Sequence, residues 1–169
     1  MPVKGLFQCN PVKTKHDDYF TRKEAWKDIE CFIPRGKKIW EAFYHPHSSS
    51  AEHLRQLGFD VVYTDSDFFT ENKGDIVVTN PAFSLKKETF ARLKQLEKPF
   101  ILLVPTTCLH TKYFLDLFKD ERIQLIIPST KRHFDKCVNG EIVKMKDNCS
   151  FYTCYVCWKI DLPRDVIFI

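Results

Sequence analysis

The sequence predicts an α/β fold: a mostly parallel sheet with helices on both faces and an antiparallel strand pair towards the C-terminus. Three observations predict it. Short β-branched runs alternate with amphipathic stretches between residues 21 and 119, glycine and proline punctuate them, and two strand-like runs follow residue 122 with no helical stretch between them. With 169 residues, 44% of them hydrophobic, the chain has enough apolar surface for one compact domain over 1–169, with residues 1–16 as an N-terminal extension.

The elements follow in order. Thr21 to Phe32 places Ala25, Trp26, Ile29 and Phe32 at helical spacing behind a threonine cap, and Pro34 with Gly36 ends it. Lys37 to Phe43 reads as a strand. Ser48 to Gly58 reads as a helix, with a capping box between Ser49 and Glu52 and a terminal glycine. Phe59–Asp65 and Asp75–Asn80 are short and β-branched, as buried parallel strands are. A helix over Ser84–Lys98, a strand over Phe100–Pro105 and a helix over Thr111–Lys119 complete the alternation. Ile123–Ser129 and Ser150–Ile160 then read as an antiparallel edge pair joined by a long polar loop.

Composition narrows the classes of function. A net charge of +4 permits a nucleic-acid partner without demanding one. No apolar run reaches the roughly 20 residues that span a bilayer, and the start lacks a signal-like apolar region, so a soluble intracellular protein is expected. The seven cysteines read as reduced thiols. Cys137, Cys149, Cys154 and Cys157 cluster in sequence, but residues three apart on a strand face opposite ways, which favours core packing over a metal site.

In a sheet of this class, ligands bind outside the carboxyl ends of the strands, near the point where strand order reverses. The strand ends here carry Glu41, then Asp65, Asp67 and Phe68, then Asn80, Pro81, Ala82 and Phe83. An acid closing the second strand suits a ribose, since its two oxygens accept from two hydroxyls, and Asp67 with Phe68 suits an adenine ring. Both aspartates also read as ordinary turn residues.

Asn80-Pro81-Ala82-Phe83 at the end of a buried strand resembles the Asn-Pro-Pro-Phe signature of S-adenosylmethionine-dependent adenine-N6 methyltransferases. The resemblance runs in the family's order from about Asp17 to Phe134, through "DDYFTRKEAW", "GFDVVYTDSDFF", "DIVVTNPAFS" and "KPFILLVPTTCLHTKYF", and is similar to small viral and phage members. It implies a Rossmann-like methyltransferase fold, S-adenosylmethionine as methyl donor, and DNA or RNA as substrate. Tyr19, Phe20, Thr21 and Glu41 would then lie at the methionine end of the donor, and Asp65, Asp67 and Phe68 at its adenosine end. Asn80 and the Pro81 carbonyl would accept both protons of the adenine amine, whose lone pair is otherwise delocalised into the ring, and Phe83 would stack on the base.

The sequence departs from that pattern in two places. Ala82 replaces the second proline, and the loop "EAFYHPHSSS" has no glycine where the family brings backbone close to the donor. Two readings follow: an adenine-N6 methyltransferase, or a non-catalytic relative that binds nucleic acid or a protein partner, a second copy included. His45 and His47 are too isolated in sequence to suggest a metal. Lys131, Arg132 and Lys136 beside Phe134 suit phosphate contact and base stacking, and read equally as a solvated basic turn. The loop Val138–Asn148 is the other candidate for target recognition.

Overall fold

The structure is a computed structural model and describes residues 19–138, 141–144 and 150–169. In chain order its elements are β1 (Tyr19–Thr21), α1 (Lys23–Lys27), β2 (Ile39–Trp40), α2 (Ser50–Gln56), β3 (Val61–Val62), β4 (Ile76–Thr79), α3 (Lys86–Gln95), β5 (Phe100–Pro105), α4 (Lys112–Phe118), β6 (Ile123–Ile127), β7 (Phe134–Val138), β8 (Glu141–Lys144), β9 (Thr153–Trp158) and β10 (Val166–Phe168). The main sheet has seven strands in the order β10-β6-β9-β5-β4-β2-β3. β3, β2, β4 and β5 run parallel, as the alternation predicts. The chain leaves β2 for β3 on one side and returns to β4 on the other, so strand order reverses at β2.

The C-terminal strands are arranged differently from the expected edge pair. β9 inserts between β5 and β6, antiparallel to both, and β10 lies parallel to β6 on the outside. Burial explains the order. All six residues of β9 are buried, whereas β6 alternates between buried and half-buried positions and β10 exposes Val166 and Phe168. A fully buried strand gains most from neighbours on both sides, and the wetter strands take the edge.

Alternation along the strands supplies two apolar clusters. Ile39, Ile76, Val78, Ile101, Leu103, Tyr155 and Cys157 join Ala25, Trp26, Ile29, Ala51 and Leu54 from the α1 and α2 region. Trp40, Val77, Phe100, Leu102, Val104, Cys154 and Val156 join Phe90, Leu93, Phe114 and Phe118 from α3 and α4. Cys154 and Cys157 are thus buried on opposite sides of β9; the side chain of Cys137, and all of Cys149, lie outside the described residues, as does the 1–16 extension.

Local geometry corrects three further expectations. The 21–32 helix is α1 followed by a 3-10 turn over Glu30–Phe32, and its cap is Arg22, because Thr21 is drawn into β1. Ser49 caps α2 without a side-chain hydrogen bond, so the capping box does not form, and Glu52 accepts from Gln56 instead. The stretch after Ile127 is not simply a loop: β7 pairs with both β1 and β8 in a small antiparallel sheet, held by an Arg22–Asp135 ion pair of 2.7 Å. No described helix is long and apolar enough to cross a membrane.

The turn into β4 runs hard against β2. Gly74 has φ +61°, and a Cβ there would lie 2.8 Å from the Lys38 carbonyl oxygen. The Lys98 ammonium donates to the Lys73 and Gly74 carbonyls at 2.9 and 2.6 Å and fixes the same turn. Gly74→Ala therefore combines left-handed strain with a backbone clash, and we expect a loss of about 2 kcal/mol or more in urea denaturation. An unchanged midpoint would show that the turn relaxes freely.

Candidate active site at the switch point

The carboxyl ends of β2 and β4 lie side by side at the reversal, so Glu41 and Asn80, each the next residue after its strand, open onto one cavity. Tyr19, Phe20 and Thr21 from β1, Phe43, His45, Ser48 and Ser50 from the β2–α2 loop, and Ala82 complete its lining. Five of the sequence-predicted residues, Tyr19, Phe20, Thr21, Glu41 and Asn80, are thereby brought together.

Glu41 is buried and saturated with donors. The Ser50 hydroxyl donates to one carboxylate oxygen at 2.5 Å, the Thr79 hydroxyl donates to the other, and the Phe43 backbone amide adds a third bond. The Trp26 indole N–H donates to Ser50 Oγ at 2.9 Å, so α1, α2, β2 and β4 meet in one buried polar chain.

Asn80 is held differently. Its Nδ2 donates to the Tyr19 carbonyl at 3.0 Å, which fixes the orientation of the amide and leaves Oδ1 as the other end. Oδ1 is buried and has no partner. Of the partnerless buried side-chain atoms among the described residues, it is the one whose residue lines the cavity. An orphaned buried acceptor costs roughly 1–3 kcal/mol, which calls for a ligand donor.

The other predicted residues lie apart from this lining. Pro81 is buried immediately after Asn80. Phe83 stacks on Tyr19 with centroids 5.4 Å apart and meets Phe151 and Phe134 edge-on, and the Lys86 ammonium lies 5.2 Å from its centroid. Asp65 and Asp67 are exposed beyond β3, where Asp67 accepts from the Phe69 amide at 2.9 Å in a turn. Phe68 is 3% exposed and packs on Trp40 and Phe43, so its ring supports that turn from within the core.

Among the basic candidates, Arg132 pairs with Asp28 and Phe134 is 2% exposed. Lys131 lies 4.6 Å over the Tyr152 ring and Lys136 4.7 Å over Tyr19. Tyr152 is 62% exposed and was not singled out in the sequence. Ser50 and Ser48 were missed as site residues too, because a serine run before a helix reads as a cap. Their place in the loop after the first strand was the available signal.

Residues 59–153, more than half of the chain, match the family described as adenine-specific methyltransferase EcoRI. The chain belongs to that adenine-specific methyltransferase family. A curated relative, the type II methyltransferase M.EcoRI of Escherichia coli, is 30% identical over 136 residues, covering 74% of this chain and 37% of the relative. The chain thus spans little more than a third of that relative's length. The family match includes Asn80 to Phe83 and leaves out Glu41 and the loop after it.

For a family member, a buried carboxyl beside the switch point has a measurable consequence. Burial pushes the Glu41 carboxyl up to about 7, while its three hydrogen bonds pull the other way. Between the ordinary value of 4.5 and about 7, the folded chain holds a proton that the unfolded chain has released. Stability therefore declines as pH rises through that window and levels off above it. We expect urea midpoints to fall between about pH 5 and pH 7.5, by on the order of a few kcal/mol in stability, and Glu41→Gln to flatten that slope. A slope unchanged in the variant would assign the titration to another group.

Proposed function

We propose that this chain carries the methyl-donor pocket and target-amine site of an S-adenosylmethionine-dependent adenine-N6 methyltransferase acting on DNA or RNA. The observation that carries this is the orphaned Asn80 Oδ1 in the same cavity as Glu41, at the reversal of strand order. Family membership supports adenine as the target.

Bound S-adenosylmethionine supplies an electrophilic methyl group on its sulfonium. The residues present fit that group. Glu41, Phe20 and Thr21 line the cavity at the donor's amino-acid end, and Asp65 and Asp67 stand at the carboxyl end of β3 for the ribose and adenine of the donor. Asn80 Oδ1 and the Pro81 carbonyl would accept the two amine protons of the target adenine, favouring a pyramidal nitrogen whose lone pair is available for attack. Proline at 81 supplies a carbonyl with no competing backbone donor. The work of the site is positioning, which needs no separate general base before attack.

Asn80 Oδ1 is nearly sealed from solvent, so entry of the base must part the side chains around it. Tyr19, which lines the cavity and stacks on Phe83, offers the aromatic contact. A duplex substrate would have to flip its adenine out, whereas a single strand would not.

The second reading, a non-catalytic relative binding nucleic acid or a protein partner, draws on one observation: the loop after β2 has no glycine, and its His45, His47, Ser48 and Ser50 amides already have partners. Calorimetry with S-adenosylhomocysteine, followed by labelled methyl transfer to single-stranded DNA, duplex DNA and RNA, separates the two. We expect Asn80→Ala to lower transfer by about 100-fold or more while donor affinity changes little. Wild-type transfer by that variant would overturn the role of Asn80, and no donor binding would favour the non-catalytic reading.

The basic residues divide in the same way. Arg132→Ala should destabilise the fold by about 1 kcal/mol or less, because the Asp28 carboxylate it leaves behind is exposed to water. Lys131→Ala should leave the melting temperature alone, weaken nucleic-acid binding and reduce the salt slope by about one.

A further inference from the structure

Resting on the reading above that the target is an adenine in nucleic acid, we infer that Tyr152 stacks on an unpaired base of a single strand beside that adenine, with Lys131 on the adjoining phosphate. Tyr152 is 62% exposed, although the residue before it is packed in an aromatic cluster. Phe151 meets the Phe83 and Tyr19 rings edge-on at 5.1 and 5.5 Å, and Phe134 packs on the same two rings. The Tyr152 side chain therefore stands in solvent next to that cluster. Its backbone fixes the place: the Tyr152 carbonyl accepts from the Thr106 amide at 2.9 Å, one residue past the end of β5. β5 adjoins β4, which ends just before Asn80, and Tyr19 of the cluster lines the cavity. The exposed ring and the cavity thus share the carboxyl edge of the sheet.

Charge marks the same place. Lys131 Nζ lies 4.6 Å from the Tyr152 ring centroid and Lys136 Nζ 4.7 Å from that of Tyr19. Arg22 and Arg132 pair with Asp135 and Asp28, whereas Lys131 and Lys136 make no ion pair among the described residues. Ammonium groups without a carboxylate partner, set beside an exposed aromatic ring, match the alternation of phosphate and base along a strand. The cation takes the phosphate, and the ring takes the face of the next base. In a duplex each base face is covered by its neighbours, so a surface ring of this kind finds its partner on a single strand.

The test uses the full chain and a labelled thymine strand with one central adenine, read by fluorescence anisotropy, together with the same strand carrying abasic sites on either side of the adenine. The abasic strand keeps every phosphate and removes the flanking bases. We expect Tyr152→Ala to weaken the intact strand about fivefold or more, Tyr152→Phe to stay within twofold of wild type, and the abasic sites to cost the wild type a similar factor but Tyr152→Ala almost nothing. On the matching duplex Tyr152→Ala should change affinity less than twofold. Wild-type affinity in Tyr152→Ala, full sensitivity of that variant to the abasic sites, or a loss confined to the duplex would each overturn the role of Tyr152. Calorimetry with S-adenosylhomocysteine separates this outcome from the donor site, since Tyr152→Ala should bind it as the wild type does. Wild-type protein that binds neither the strand nor S-adenosylhomocysteine would overturn the proposed function and this inference with it. Strand binding that depends on Tyr152 without any donor binding would uphold the stacking contact and favour the non-catalytic reading.

Discussion

The site depends on one buried carboxylate. Glu41, at the end of β2, accepts from Thr79 at the end of β4 and from Ser50 at the start of α2, with Trp26 of α1 behind Ser50. A carboxyl group removed from water is costly unless donors replace the lost solvent, and here three do. The same bonds align the ends of two neighbouring strands and seat the helix that follows the loop. The relative placement of Glu41 and Asn80 in the cavity is thereby set by the sheet.

From that base the small sheet becomes intelligible. Tyr19 of β1 packs against the core, its carbonyl fixes the Asn80 amide, and the side chains of β1 wall the cavity. β7 holds β1 in place through backbone pairing and the Arg22–Asp135 ion pair. β7, in the stretch between β6 and β9, thus serves as the clamp on the cavity wall. Arg132 and Phe134 are taken up by that task, and Lys131, Lys136 and Tyr152 keep solvent-facing surface.

The loop after β2 shows how a missing glycine is accommodated. Among the described residues the positive-φ positions other than glycine are Glu97, Lys159 and Asp161, so the loop over 43–50 needs no left-handed residue. Tyr63 reaches across from beyond β3 and satisfies both the amide and the carbonyl of His45. The His47, Ser48 and Ser50 amides are satisfied by neighbouring groups of the loop.

Much of this was legible in the amino-acid order itself. The parallel core from β2 to β5 was readable because alternation and punctuation are local properties, and the strand ends named Glu41 and Asn80 because ligand sites in such sheets follow their carboxyl edges. Position within the sheet was not readable: β9 lies inside it and β10 outside because burial is settled by competition among strands distant in sequence. The same holds for Phe68 and Phe134, aromatic residues that suit a ligand by type and were drawn into the core by their neighbours. The amino-acid sequence by itself determined the α/β order and the chemical groups at the strand ends. Only the tertiary structure decided which of those groups share a cavity and which polar atom is left without a partner, since hydrogen-bond satisfaction depends on contacts that no single segment contains.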